Sequence, residues 1–250
     1  AGGMAISGSE LQRITAENLT FADDGAGAGN INIIVDGITA AQSENIDVLV
    51  TLNATGPTGT IDFENNVSTF NSLTANAGGG IDVDVDLTTD EGAITFDGDS
   101  DNINTGGVDD QISFAAGVTV DATTRLTLDA DQGINAAGAL TLFAREDADA
   151  NNVFVMVLNN AFTSATGAVT LNSVNGIQLN DTFNTNTANP NGSDTTTINT
   201  DTNGDGFGVL DDSGINTNGN PLIITANDFD PGVINTGGND ITILVPGDQT

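Results

Sequence analysis

The sequence predicts an all-β fold of stacked short strands, a parallel β-helix or β-solenoid, and three features carry that expectation. Apolar and polar residues alternate in brief bursts, clusters of Gly, Asn, Asp and Thr separate the bursts, and one strand–turn–strand unit is restated along the chain. An array of β-sandwich domains is the competing architecture, because it too needs short strands with frequent turns. Sandwich cores usually draw on Trp or Tyr, however, and this chain has neither, only 11 Phe.

Taken in order, the first element is the best helical candidate. In SGSELQRITAEN, Ser7 or Ser9 can cap a short helix with Leu11 and Ile14 on one face, suited to closing an end of a solenoid. The bursts follow: Ile31, Ile33 and Val35; Ile46, Val48 and Val50; Ile81, Val83 and Val85. Each has the period of two expected of a half-buried strand. Asp82, Asp84 and Asp86 interleave with the last burst and read as its solvent face.

The repeat is clearest in Thr74 to Ile81, Thr127 to Ile134 and Thr170 to Ile177, which share Thr, apolar, Asn or Asp, small, two free positions, Gly, Ile. Looser copies begin at Thr51 and Thr225, and a second unit, Gly-Ala-apolar-Thr-apolar, begins at Gly92, Gly138 and Gly167. The interval is 23 residues from Asn53 to Asn76, then 53 to Asp129, 43 to Asn172 and 55 to Asn227. These steps approach multiples of a rung of about 20 to 27 residues, and ten to twelve rungs at ~4.8 Å would make a rod about 50 Å long.

Residues 181 to 220 are so rich in Asn, Thr, Asp and Gly that they resemble a linker, and PLIITAND and GNDITILV then restore a strand pattern. The expected organisation is a β-helical region over 1–185 with an N-terminal cap, a polar insertion or loop over 186–220, and terminal strands over 221–250 continuing the same domain. The opening AGGMAIS is not a signal peptide, which leaves a removed leader or a segment of a longer chain as the expectation.

The runs FNSLTANAGGGIDVDVDLTTDEGAITFDGD (70 to 99) and ISFAAGVTVDATTRLTLDADQGINAAGALTLFA (112 to 144) resemble the repeats of filamentous-haemagglutinin-type surface proteins. The resemblance covers roughly residues 45 to 180. It implies a right-handed parallel β-helix, export to the cell surface and a role in adhesion or matrix. The family's secretion domain carries an Asn-Pro-Asn-Gly motif; Asn189 to Gly192 spells it here, but within polar flanks that read as a turn.

Composition narrows the function. With no Cys, His, Lys, Trp or Tyr, the chain has no thiolate, Schiff-base amine, Ser-His pair or ordinary general base near neutral pH, so an enzyme is not expected. A glycosidase using paired carboxylates would need a sugar platform or cationic groups, and the only cations are Arg13, Arg125 and Arg145. The formal charge of −32 argues against nucleic acid or an anionic membrane as partner. No apolar run reaches the ~20 residues of a membrane span. Thr-rich runs suggest an ice-binding array, but their spacing along the chain is irregular.

That charge favours a cation, and calcium is the expected cofactor. Asp201, Asn203 and Asp205, with Gly206 and then Asp212 at the twelfth position, match the oxygen ligands and sharp turn of an EF-hand loop, without flanking helices and with Asp in place of the final Glu. Asp97, Asp99 and Asp101 form a second candidate, with Asp109 and Asp110 further on. The alternative for both is a solvated turn, which Asp-Gly and Asn-Gly favour unaided.

The expected protein is therefore an extracellular or cell-surface structural subunit of a fibre, stalk or matrix, self-assembling end to end as a homopolymer and stabilised by calcium. The alternative is a calcium-dependent adhesive module of a large surface adhesin, recognising a surface glycan or a host cell surface.

Overall fold

The computed structural model describes residues 2–22, 31–103, 110–146 and 154–246. They form a parallel β-solenoid of three interleaved sheets with ten, nine and eight strands, every pairing parallel. The all-parallel ladder excludes the sandwich, whose sheets are antiparallel. Successive turns visit the first, third and second sheets in that order, as in Ile81–Val83, Leu87–Thr89 and Ile94–Asp97. The nine inter-strand steps of the ten-stranded sheet give a rod about 43 Å long at ~4.8 Å per step.

Alternation puts one side chain in two inside, and register stacks the inside positions into columns. In the first sheet Met4, Ile33, Ile61, Ile81, Ile112, Ile134, Phe162, Phe183, Ile215 and Ile234 pair in succession. The Phe162 and Phe183 rings stack with centroids 4.5 Å apart at 14°. A third-sheet column runs Leu87, Val120, Leu142, Leu171, Ile198, Ile224 and Ile243.

The repeat marks corners. Its conserved-looking glycine takes φ of 101° at Gly80, 99° at Gly133 and 86° at Gly176, a left-handed bend that a Cβ disfavours and that turns the chain into the next strand. The copies do not all turn the same corner. Thr74 to Ile81 and Thr127 to Ile134 pass from the second sheet to the first, whereas Thr170 to Ile177 passes from the third to the second.

The N-terminal helix is shorter than the sequence suggests. Helix α1 spans only Gly8–Leu11, with the Glu10 carboxylate accepting from Ser7 N at 3.1 Å and Ser7 Oγ at 2.7 Å. Ile14 lies beyond it and Ala16 already starts a strand, because the chain must rejoin the second sheet within one turn. A second single-turn helix, α2 (Ala40–Ser43), has no counterpart in the sequence reading. α1 packs on α2, and α2 packs on the strand Ser68–Phe70, so the two helices continue the third face where it has no strands among the described residues. Leu11 is fully buried, as a cap requires.

The polar stretch 186–220 lies within the solenoid and contributes the strands Thr196–Asn199, Val209–Asp212 and Gly214–Asn216. Its interior is held by hydrogen bonds: Thr185 and Thr196 hydroxyls meet at 2.7 Å, Ser164 Oγ accepts from Asn186 N at 3.0 Å, and Asn220 Nδ2 donates to Asn189 O at 3.1 Å. Asn189 to Gly192 forms a turn, with Asn191 at φ 60°.

Candidate functional site

The loop at Asp201 precedes a second-sheet strand. Asp201 is buried and its carboxylate is already engaged: Oδ1 accepts from Gly204 N at 2.8 Å and Asp205 N at 3.2 Å, and Oδ2 from Gly206 N at 3.2 Å and from the Asn227 amide. Asn203 Nδ2 donates to Asp205 Oδ2 at 2.8 Å, so its amide joins the turn's own network. Asp212 stands elsewhere, at the far end of the strand Val209–Asp212. Register places it on Leu179 in a core column, where Oδ1 accepts from Gly232 N at 3.1 Å. Burial, foremost, holds its carboxyl above the usual range, with Asp211 and Asp230 adding to the effect. The twelve-residue loop motif is thus split between two corners.

The second candidate is brought together more closely. Residues 98–102 turn the corner after Ile94–Asp97 and sit between two neighbouring turns: Ser100 N donates to Ala77 O at 2.9 Å on one side, and Gly98 N to Asp129 O at 2.8 Å on the other. Asp97 Oδ1 accepts from Asp99 N at 3.2 Å, and Asp101 Oδ1 from Ile103 N at 3.0 Å. Asp99 is only 5% exposed, and neither of its carboxylate oxygens has a hydrogen-bond partner; Ser100 Oγ and Asp101 Oδ2 are buried and unpartnered as well. Burial is the main cause that pushes the Asp99 carboxyl up to about 7, followed by the facing Asp131 carboxylate, then Asp110 and Asp101. Asp109 lies outside the described residues.

Asp131 went unrecognised in the sequence, although the signal was there. Thr95, Phe96 and Asp97 pair in register with Thr127, Leu128 and Asp129, so Asp97-Gly98-Asp99 and Asp129-Ala130-Asp131 are the same motif on adjacent turns. Asp110 is brought to the same corner by Gln132 N, which donates to its carbonyl at 3.1 Å. Among the described residues no three carboxylates converge closely enough to enclose a metal unaided.

Two of the three arginines are committed. Arg145 makes a bidentate pair with Asp121, 2.6 Å and 2.7 Å, over the Phe143 ring, and Arg125 pairs with Glu146. Asp82, Asp84 and Asp86 are exposed, but the strand ends at Val83, so only Asp82 lies on its solvent face; Asp84 and Asp86 fall in the connection to Leu87–Thr89, where Asp86 Oδ1 accepts from Thr119 N at 2.7 Å.

Threonines that are irregular in sequence are regular in space. Thr20, Thr51, Thr74, Thr95 and Thr127 form one register column, and Thr119, Thr141, Thr170 and Thr197 another. Loops of unequal length between strands hide the period. The columns stop at Val157 and Ile223. Along the first sheet, Ser113, Asn135, Thr163, Asn184, Asn216 and Asn235 form an outer polar column bordering two shallow grooves.

Fold and site together define an acidic parallel β-solenoid. Comparison with family models, curated proteins and solved structures gives no match to this chain.

Proposed function

We propose that the protein is a structural subunit of an extracellular fibre, stalk or cell-surface matrix that assembles end to end and is stabilised by calcium. The observation that carries this reading is the all-parallel ladder of three sheets, which a further copy can extend layer by layer. At its C-terminal end Ile241 and Ile243 occupy core-facing positions, paired with the buried Leu222 and Ile224, yet are 44% and 47% exposed. Beside them the strands Asp228–Asp230, Val233–Asn235 and Ile241–Leu244 are the last of their sheets among the described residues. Apolar core positions and open strand edges there suit another β-layer, whether it belongs to a second copy or to further turns of the same chain. The likeness of residues 70–99 and 112–144 to filamentous-haemagglutinin-type repeats supports a place at the cell surface.

The second reading, a calcium-dependent adhesive module, is favoured by the grooves of the first sheet. Their Asn, Ser and Thr side chains offer hydrogen-bond donors and acceptors to an uncharged glycan. Electron microscopy of the purified protein in calcium and after chelation separates the two. Fibres that fray on chelation support the assembling subunit, whereas dispersed particles in both conditions remove self-assembly and leave the adhesive module.

A further inference from the structure

We propose that the corner joining residues 97–101 to Asp131 on the next turn binds a calcium-type divalent cation, with Asp99 as its central ligand. The inference deepens the calcium part of the proposed function and stands apart from its assembly part.

The first argument is the orphaned carboxylate. Asp99 is buried, and neither oxygen accepts a hydrogen bond. A buried charge without a partner is strongly disfavoured, so such groups are found paired, protonated or bound to a metal. The groups that act on Asp99 are carboxylates, namely Asp131, Asp110 and Asp101, and no arginine is among them. Two facing carboxylates are both acceptors and cannot bond one another without a third party, a proton or a cation.

The second argument is a break in an amide ladder. At the edge of the second sheet Asn76 Nδ2 donates to Asn53 Oδ1 at 2.8 Å, Asn159 Nδ2 to Asp129 Oδ2 at 3.0 Å, and Asn180 Nδ2 to Asn159 Oδ1 at 2.9 Å. Between the two runs Asp97 is stacked on Asp129, and neither side chain has a proton donor to offer. The ladder fails at the same corner where Asp99 meets Asp131, so one cation there would neutralise both defects.

Chemistry selects the ion. All the available donors are hard oxygens, and no Cys or His exists to favour a transition metal. Among the described residues no three carboxylates converge closely enough to hold a metal unaided, so the shell must be completed by Ser100 Oγ, main-chain carbonyls and water. Calcium takes such a mixed, irregular set of six to eight oxygens, whereas magnesium demands a near-ideal octahedron.

The test is calorimetric titration of calcium chloride into the dispersed, metal-stripped protein, with thermal melts in calcium and in chelator. Wild type is expected to bind with a Kd of about 10⁻³ M or tighter, the range of extracellular modules. D99N and D131N should each weaken binding by at least about tenfold, the loss expected when a charged ligand becomes neutral. D47N, at an exposed carboxylate outside both candidate loops, should bind as wild type. In chelator D99N should melt no lower than wild type, because it removes an orphaned charge, and it should gain nothing from calcium. The proposal is overturned if wild type binds no calcium up to about 10 mM, or if D99N and D131N bind as tightly as wild type. Loss of binding in D99N with fibres intact under the microscope would leave assembly standing without its calcium.

Discussion

Replacing Phe183 by Ala tests whether the rod's cohesion lies in columns of identical inside positions. Phe183 and Phe162 are each 1% exposed and stack at 4.5 Å, with Ile134 above and Ile215 below in the same column. Truncating a buried Phe costs about 3–5 kcal/mol, of which ~0.5–1.5 belongs to the ring pair itself. With a urea m-value of roughly 3 kcal/mol/M, the midpoint should fall by ~1–1.5 M. F162A should cost about as much, and the double variant should cost less than the sum by the pair energy of ~0.5–1.5 kcal/mol. Far-ultraviolet circular dichroism in urea reads all three, with exposed Phe207→Ala as a control expected to change stability by less than ~0.5 kcal/mol. A loss below ~1 kcal/mol for F183A, or strict additivity in the cycle, would show that the column does not carry the stability assigned to it.

Asp62 and Asp82 stack directly on adjacent turns, and D62N should raise stability by ~0.2–1 kcal/mol, or about 1–4 °C in melting temperature by scanning calorimetry. Both carboxyls are held above their ordinary range, chiefly by the partial desolvation that stacking on a neighbouring turn imposes. Asp82, Glu64 and Asp84 add to this at Asp62, while Thr60 opposes it; at Asp82, Asp84 adds and a hydrogen bond from Ser113 opposes. A raised folded-state pKa means that the folded protein keeps protons the unfolded chain has released. Their stabilisation is complete below the unfolded value of about 3.9 and is lost as pH climbs through the folded value. Urea midpoints should therefore rise as pH is lowered from 7 towards 4, and a falling midpoint would contradict the assignment. At the bend of Gly133, φ 99°, an added Cβ would sit 2.9 Å from Ala161 O, so G133A should cost about 1–3 kcal/mol in the same assay. Ile243→Lys, at an exposed position, should leave the melt nearly unchanged while suppressing fibres in electron micrographs.

Alternation is legible where a strand is regular, because a side chain's face then depends only on its parity: Ile81 and Val83 are inside and Asp82 outside, whereas Val48, expected inside with Ile46 and Val50, is 48% exposed because a register shift interrupts the pairing of Ile46–Ala54 with Ala16–Ala22. The assignment of each strand to a sheet was not readable. Thr127 to Ile134 and Thr170 to Ile177 share one pattern yet turn different corners, since a left-handed glycine before an Ile meets the needs of either. Loops of unequal length added to this, placing Ile61 and Ile81 only 20 residues apart but Phe183 and Ile215 32 apart. At the candidate sites, linear spacing misled for Asp212, which is near Asp201 in sequence but belongs to a core column over Leu179. Spacing concealed Asp131, whose proximity to Asp99 arises from register across a turn.

If the proposed assembly forms, the faces that the described residues leave open at either end of the ladder set its geometry. At the N-terminal end α1 buries Leu11 over the core, but the strands Gly2–Ser7 and Ala16–Ala22 are the first of their sheets and keep an open edge among the described residues. At the C-terminal end, among the described residues, apolar core positions and the last strand of each sheet are open. Two C-terminal ends meeting around a two-fold axis would bury their apolar residues, but they would join the sheets in antiparallel fashion and close as a dimer. A C-terminal end meeting an N-terminal end continues parallel pairing on the first two sheets and sets Ile241–Leu244 against α1. That contact is heterologous, so it does not close and each addition exposes a fresh end. Mass measurement of the smallest assembled species distinguishes the two. A population ending at dimers indicates the two-fold arrangement, and a ladder of increasing lengths indicates the head-to-tail one. Head-to-tail contact alone keeps the common strand direction of the described sheets, as the proposed assembly requires.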